Sequence, residues 1–248
     1  MSARVAVLSD VHGNVIALEA VRAALRKEKP DAVMIAGDHA FNGHDPAGTI
    51  AVLRQMETDG AMIVAGNTDI AVADFDYAAA FPWMPDGVPE AMQMAAEWAH
   101  DALDDGDLAW LRRLPAERRL RIGETMLLLT HASPGSQTAG FDKDLDASVT
   151  LERLSRTDAR IICCGHTHVP DIRDFGWKQV INGGSAGYVF DGDPTASWAL
   201  VTVTDEGVTA EIRRTEFDTL AAANAITARG LPGDVYRAAT VRTGKLVR

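Results

Sequence analysis

Cysteine and long hydrophobic runs are almost absent from this sequence of 248 residues. The only two cysteines, Cys163 and Cys164, are adjacent in an apolar run. This placement excludes a disulfide framework and a CxxC motif, and it predicts that both residues pack in a core. No apolar run approaches the roughly 20 residues of a membrane-spanning helix, and the first residues lack the layout of a signal peptide. We therefore expect a cytoplasmic protein without a membrane partner.

Positive charge is also scarce. The 24 lysines and arginines are outnumbered by 35 aspartates and glutamates, so the formal net charge is −11. Broad attraction to nucleic-acid phosphate or to anionic lipid is therefore not expected, and any phosphate chemistry must depend on local charge. The hydrophobic share of 47% is ample for a core. We predict a single domain over residues 1–248.

Short β-branched runs alternate with helical patterns, which is typical of buried strands in a layered α/β architecture. The first five strands are predicted at residues 5–9, 32–37, 61–66, 126–130 and 161–165. Asn14 and Asp45 are expected N-caps of the first two helices. Residues 71–115, rich in alanine, predict a helical insertion over the sheet edge. Hairpin signals after residue 120 predict mixed or antiparallel strands.

Each of these five strands is followed by residue types that bind metals. They are Asp10 with His12, Asp38 with His39, Asn67, His131, and His166 with His168. The carboxyl ends of strands in an open α/β sheet bring distant residues together. Burying Asp10 beside Asp38 without a cation would be costly, because like charges repel in a low dielectric. A mixture of imidazole, carboxylate and amide ligands favours Mn²⁺, Fe²⁺ or Zn²⁺.

The number of candidate ligands exceeds what one ion needs. The seven side chains are Asp10, His12, Asp38, Asn67, His131, His166 and His168. They suffice for two ions that share one carboxylate and leave positions open for water and substrate. Two metals about 3.5–4 Å apart can activate water and hold both oxygens of a phosphoryl transfer. Such a centre would give an acidic protein a locally cationic place for phosphate.

The motifs resemble those of the calcineurin-like metallophosphoesterases, particularly the compact prokaryotic phosphodiesterases and diadenosine-tetraphosphatase-like proteins. The matching motifs are Asp10-x-His12, Gly37-Asp38, Gly66-Asn67, His131 and Gly165-His166-Thr167-His168. The resemblance implies a four-layer αββα sandwich of mixed sheets with a small helical insertion. It also implies two divalent ions, with Mn as the first choice and Fe or Zn as alternatives.

The resemblance assigns a role to each candidate residue. One ion would be held by Asp10, His12, Asp38 and His168, and the other by Asp38, Asn67, His131 and His166. Asp38 would bridge the ions, and Asp38, Asn67 and His131 would be the catalytic residues. A hydroxide between the metals would attack phosphorus in line. The implied activity is hydrolysis of a small phosphodiester or a nucleotide phosphoanhydride.

One position departs from the family pattern. Many relatives have a histidine after the asparagine, where this chain has Thr68. A threonine hydroxyl can bind phosphate but is a poor proton donor, so we expect a leaving group that is a weak base. Asn67, Thr68 and His39 are expected to contact substrate, with His39 and His44 as candidate proton donors. Asp69 is expected to have a structural hydrogen-bonding role.

Two other functions fit the same motifs. The chain could be a non-catalytic scaffold, as in the retromer subunit that resembles these enzymes, or a protein Ser/Thr phosphatase. The complete ligand set favours an enzyme over a scaffold, and Thr68 disfavours a protein phosphatase. The expected partner is a small phosphorylated molecule, nucleotides included. The sequence does not determine the oligomeric state.

Overall fold

Two five-stranded sheets pack face to face in this computed structural model, which describes residues 2–248. The strands are β1 (Ser2–Leu8), β2 (Ala32–Ala36), β3 (Met62–Val64), β4 (Glu117–Ile122), β5 (Thr125–Thr130), β6 (Ile161–Cys164), β7 (Asp171–Asp174), β8 (Gln179–Asn182), β9 (Ala196–Thr204) and β10 (Gly207–Thr215). The helices are α1 (Val15–Glu28), α2 (Pro46–Thr58), α3 (Asn67–Asp74), α4 (Tyr77–Ala80), α5 (Glu90–Asp101), α6 (Asp105–Arg113), α7 (Ala147–Ser155), α8 (Thr219–Ala228) and α9 (Asp234–Thr243). Among the described residues, no helix has both the length and the apolar character needed to cross a membrane.

Both sheets are mixed, and each contains three adjacent parallel strands. The first sheet has the order β10-β9-β1-β2-β3, in which β1, β2 and β3 are parallel. The second has the order β4-β5-β6-β8-β7, in which β5, β6 and β8 are parallel. The predicted hairpins are present as antiparallel pairs at the edges of the sheets. Parallel strands direct their carboxyl ends to one side, where loops leave the sheet.

Alternation along the strands divides the apolar residues between three layers of core. Val5 and Val7 of β1 face the second sheet, where they pack in one cluster with Leu127 and Leu129 of β5. The intervening residue Ala6 faces the helices, in a cluster shared by α1 and α2. A smaller cluster lies between the second sheet and α7. The predicted αββα sandwich is therefore confirmed.

The two cysteines illustrate this alternation because neighbouring strand residues point to opposite faces. Cys163 packs between the sheets, and Cys164 packs on the side of α7. Both are free and fully buried, as the sequence predicted. Burial raises the pKa of the Cys163 thiol to about 12 and also raises that of Cys164. Neither thiol is available for redox chemistry.

The helices between β3 and β4 begin earlier than expected from the sequence. The first of them, α3, starts at Asn67 rather than near residue 71, because the Asp69 carboxylate accepts a hydrogen bond from the Gly66 N–H. Val72 and Trp110 of this segment share one buried cluster with α1 and α2. The segment therefore extends the helical layer of the first sheet. The division of the chain into a single domain stays a prediction.

The C-terminal helices fix the loop that follows β2. Arg229 and Arg237 both pair with Asp234, and all three side chains are buried. Arg229 also donates to the Gly43 carbonyl at 2.6 Å, and Arg237 donates to the Asn42 side chain at 3.0 Å. Removing one partner of a buried ion network leaves the others uncompensated. This network should therefore matter more to stability than the surface pairs do.

We expect Asp234→Ala to lower the free energy of unfolding by about 3–5 kcal/mol, because it leaves Arg229 and Arg237 buried without a counter-charge. The matched control is Asp158→Ala, which breaks the exposed pair with Arg119. That pair is screened by water, so the control should leave the unfolding midpoint nearly unchanged. Urea unfolding followed by circular dichroism measures both, and equal effects of the two substitutions would contradict this expectation.

Candidate metal centre

Seven side chains from five strand ends converge on one edge of the paired sheets. Asp10 and His12 follow β1, Asp38 follows β2, Asn67 follows β3, His131 follows β5, and His166 and His168 follow β6. Five of the seven have a positive φ, between +52° and +70°. Such backbone costs about 1–3 kcal/mol per residue and clusters at functional sites. The loops are therefore bent to aim these side chains inward.

Four of the seven form one tight group. Each of Asp10, His12, Asp38 and His168 offers a ligand atom, and these atoms all lie within 4.8 Å of one another. Nε2 of His12 lies 3.1 Å from Nε2 of His168 and 3.5 Å from Oδ2 of Asp38. Nε2 of His168 lies 3.3 Å from Oδ1 of Asp10. All four side chains are buried.

The remaining three form a second group, which reaches the other oxygen of Asp38 through His131. Nε2 of His131 lies 3.5 Å from Oδ1 of Asp38 and 3.0 Å from Oδ1 of Asn67. Nδ1 of His166 lies 3.1 Å from Nε2 of His131 and 3.1 Å from Oδ1 of Asn67. The two groups therefore meet at Asp38, which directs one carboxylate oxygen toward each.

Backbone carbonyls orient three of the four histidine rings. The pairs are His12 Nδ1 with Phe41 O at 3.1 Å, His131 Nδ1 with Ala36 O at 2.5 Å, and His168 Nδ1 with Tyr188 O. A carbonyl only accepts, so each Nδ1 carries a proton and Nε2 is directed into the site, where it can bind a metal once it is unprotonated. The fourth ring, His166, instead directs Nδ1 inward. The sequence could not identify these acceptors, because every residue carries a backbone carbonyl.

The electrostatics of the site favour charged carboxylates. Burial opposes the charge on Asp10, but neighbouring histidines, His168 first, hold its pKa well below the usual range. Burial likewise opposes the charge on Asp38, whose pKa is lowered by His131 and His12. Those carboxylates raise the pKa of His12 and of His131 despite their burial.

One buried acceptor provides a test of whether cations fit. Within residues 2–248, Oδ1 of Asp10 is buried and accepts no hydrogen bond. Nε2 of the His168 ring lies 3.3 Å away from it. A buried carboxylate oxygen without a hydrogen-bond partner is unfavourable unless a cation compensates its charge. The donor set therefore fits divalent ions.

Asp69 positions the loop from which Asp38 projects. Its carboxylate accepts from the N–H groups of Asp38 at 3.0 Å, His39 at 2.8 Å and Gly66 at 2.8 Å. These bonds tie the end of β2 to the end of β3 and the start of α3. The structural role predicted for Asp69 is confirmed.

Two glycines of the sequence motifs are required by close approach to the aspartates. A Cβ on Gly66 would lie 2.1 Å from Oδ1 of Asp38. A Cβ on Gly165 would lie 2.4 Å from Oδ2 of Asp10 and 1.8 Å from Oγ of Ser9. Any side chain at either position would displace a carboxylate of the site.

The candidate substrate-binding residues behave differently from one another. His39 is fully buried, its Nε2 lies 3.0 Å from the Val64 carbonyl, and its ring contacts Trp110. The structure therefore does not support His39 as a substrate-binding group or proton donor, since its ring is turned into the core. Thr68 donates its N–H to Asp38 Oδ1 at 2.9 Å. Within residues 2–248, its buried hydroxyl has no hydrogen-bond partner.

His44, the other candidate proton donor, lies on the loop after β2. Its ring is partly buried, and burial lowers its pKa, opposed by the nearby charge of Asp45. Arg229, which is also nearby, lowers the pKa further. Neutral imidazole is therefore favoured at this position.

The chain matches a known protein family over the part that contains these residues. The calcineurin-like phosphoesterase superfamily domain matches residues 3–206, a range that contains all seven convergent side chains. The chain belongs to this superfamily. The resemblance predicted from the motifs is thus confirmed, and the two mixed sheets are those of a metallophosphoesterase fold.

Relatives of this superfamily member cover nearly its whole length. The uncharacterized protein MJ0912 of Methanocaldococcus jannaschii is 24% identical, over 92% of this chain and 93% of the relative. The crystal structure of the hypothetical protein PH1004 from Pyrococcus horikoshii has a TM-score of 0.83 at 19% identity and covers 97% of this chain and 98% of its own. A metallophosphoesterase from Sphaerobacter thermophilus has a TM-score of 0.75 at 23% identity, with coverage of 98% and 100%. At these identities the solved structures support the fold alone.

The role of Asp69 leads to a test of stability. We expect Asp69→Asn to lower the free energy of unfolding by roughly 2 kcal/mol, because the amide NH₂ replaces an acceptor and leaves a buried N–H unpaired. Asp218→Asn is the control, since Asp218 caps α8 and asparagine caps helices equally well. Thermal unfolding compares the two variants. An Asp69→Asn protein as stable as the control would exclude this positioning role.

The raised pKa values of His12 and His131 lead to a test of metal binding. Both rings retain a proton at a pH where an ordinary histidine has lost it, so a metal must displace protons. We expect Mn²⁺ affinity to fall as pH decreases from 8 to 6, with proton release measured by calorimetry in buffers of different ionisation enthalpy. His44→Gln should leave this release unchanged. Affinity independent of pH would contradict ligation by these histidines.

Proposed function

We propose that this superfamily member is a dimetal phosphoesterase that hydrolyses a small phosphodiester or a nucleotide phosphoanhydride. The observation that supports this function best is the division of seven side chains into two groups that share Asp38. A single ion could not contact both groups, whereas a shared carboxylate is the usual link in a two-metal site. The superfamily supports a metal-dependent hydrolase in general.

The ligand assignment follows the two groups. One ion would be held by Asp10, His12, Asp38 and His168, and the other by Asp38, Asn67, His131 and His166. We propose Mn²⁺ first, with Fe²⁺ or Zn²⁺ as alternatives, because imidazole, carboxylate and amide oxygen suit these borderline ions. When bound, the two ions would lower the pKa of a coordinated water and neutralise charge on a phosphate.

Asn67 and Thr68 would then position the substrate from the start of α3. The Asn67 side-chain N–H donates to the Ala80 carbonyl at 3.0 Å, which directs Oδ1 toward His131 and His166. The adjacent Thr68 hydroxyl is buried and has no partner within residues 2–248, so it is available to donate to a phosphate oxygen. Asp38, Asn67 and His131 are the residues that we propose as catalytic.

The leaving group should be a weak base. Thr68 is a poor proton donor, and His39 is turned into the core. A leaving group such as a nucleotide phosphate departs without a proton, whereas an alkoxide has to be protonated as it leaves. Phosphoanhydrides and activated esters are therefore favoured over simple alkyl phosphates. The cytoplasmic location and the absence of a nucleic-acid partner remain predictions from the sequence.

We expect the purified protein to bind about two equivalents of Mn²⁺ and to hydrolyse bis-p-nitrophenyl phosphate or a dinucleoside polyphosphate. Asp38→Ala and His131→Ala should each lower kcat by about 10²–10³-fold, because each removes a preorganised charge or ligand. Metal content measured by mass spectrometry should fall in the same variants. Asp74→Ala, which breaks an exposed pair with Arg112, is the control.

Two outcomes would contradict the proposed function. A folded protein that takes up no metal and hydrolyses none of these substrates would favour a scaffold. Efficient turnover of phosphopeptides, with little turnover of diesters or anhydrides, would favour a protein Ser/Thr phosphatase.

A further inference from the structure

Trp83 is an exposed aromatic side chain beside the candidate metal centre. It is 50% exposed, whereas Trp110 of the same helical segment is only 1% exposed. The Trp83 ring centroid lies 6.0 Å from that of His166, with the ring planes at 69°. An indole ring normally buries its apolar surface, so its exposure at this position requires an explanation.

His166 marks the open side of the centre. The other six candidate ligands are buried, whereas His166 is partly exposed. Gly140 borders the same ring, since a Cβ on Gly140 would lie 3.0 Å from Cδ2 of His166. Trp83 and Gly140 therefore flank the side from which a ligand can approach.

Contacts of the residues just before Trp83 place its ring beside the site. Ala80 accepts the side-chain N–H of Asn67, which anchors the chain three residues before Trp83. Phe81 is buried, and its ring centroid lies 6.2 Å from that of Phe41. The rings of Phe81 and Trp83 meet edge-on, with their centroids 5.8 Å apart. These contacts place the indole beside the site before a ligand arrives, which lowers the cost of ordering it on binding.

We propose that Trp83 determines substrate specificity by stacking on a planar aromatic group, such as a nucleobase, carried by the phosphate compound that the centre binds. The inference rests on the proposed function, because the phosphate must be held at the cation site for the aromatic group to reach Trp83. A nucleobase is separated from its phosphate by the sugar, so it requires a stacking surface beside the cation site rather than inside it. Trp83 has this placement.

Equilibrium binding to the Mn²⁺-loaded protein tests the proposal without depending on turnover. The ligands form two pairs that differ only by the aromatic group: AMP with ribose 5-phosphate, and phenyl phosphate with methyl phosphate. We expect Trp83→Ala to weaken AMP by roughly 5- to 150-fold, the range of single base–aromatic stacks, and to weaken phenyl phosphate less, because its ring lies next to the phosphate. The two ligands without a ring should change less than twofold, and Trp83→Phe should retain most of the affinity.

Two further measurements make the test specific. AMP should quench indole fluorescence in the unaltered protein and not in Trp83→Phe, whereas ribose 5-phosphate should quench neither. Trp177→Ala is the matched control, because Trp177 is 49% exposed but lies in the hairpin between β7 and β8. It should leave all four affinities unchanged.

The outcomes separate the inference from the proposed function. One outcome is that all four ligands bind and Trp83→Ala lowers the affinity for both members of a pair equally or for neither. In that case the stacking role is wrong, and the phosphate site is retained. A loss confined to phenyl phosphate would exclude a nucleobase and retain an aryl group. If no phosphate compound binds the Mn²⁺-loaded protein, the proposed function and the role of Trp83 both fail.

Discussion

The burial of two aspartates beside one another constrains the rest of this structure. Asp10 and Asp38 follow neighbouring parallel strands, so the topology alone brings their carboxylates to the same edge. Neither can be charged there without compensation, since burial opposes both charges. Imidazole rings from the second sheet, His131 and His168, supply part of that compensation and require the two sheets to meet at this edge. The sandwich and the site therefore depend on each other.

Aiming these side chains inward costs backbone energy, and contacts farther out stabilise the bent loops. The Asp69 carboxylate stabilises the positive φ of Asp38 by accepting three backbone hydrogen bonds around it. The loop that supplies the Phe41 carbonyl is held in turn by Arg229 and Arg237 of the C-terminal segment. Local strain of this kind persists only where surrounding structure fixes it. The C-terminal helices, which supply none of the seven convergent side chains, thus act on the geometry of His12.

Sequence patterns predicted those features that depend on neighbouring residues. The helix cap at Asn14, the hairpins and the residue types at five strand ends all follow from local propensity and spacing. Other features depend on contacts between distant segments, which no local pattern encodes. The burial of His39 against Val64, the carbonyl of Tyr188 beside His168, and the exposure of Trp83 are of this kind. The early start of α3 lies between these cases, because Asp69 could have been recognised as a capping residue at the third helical position.

The charge distribution limits how this protein can select a substrate. The two arginines at the end of α6 are already paired, Arg112 with Asp74 and Arg113 with Glu57. The net charge of −11 gives the chain as a whole no attraction for phosphate, so we attribute that attraction to the proposed metal centre. Such attraction acts on any phosphate and cannot distinguish one ester from another. Discrimination must therefore depend on uncharged groups that contact the remainder of the substrate, and an exposed indole beside His166 is a group of that kind.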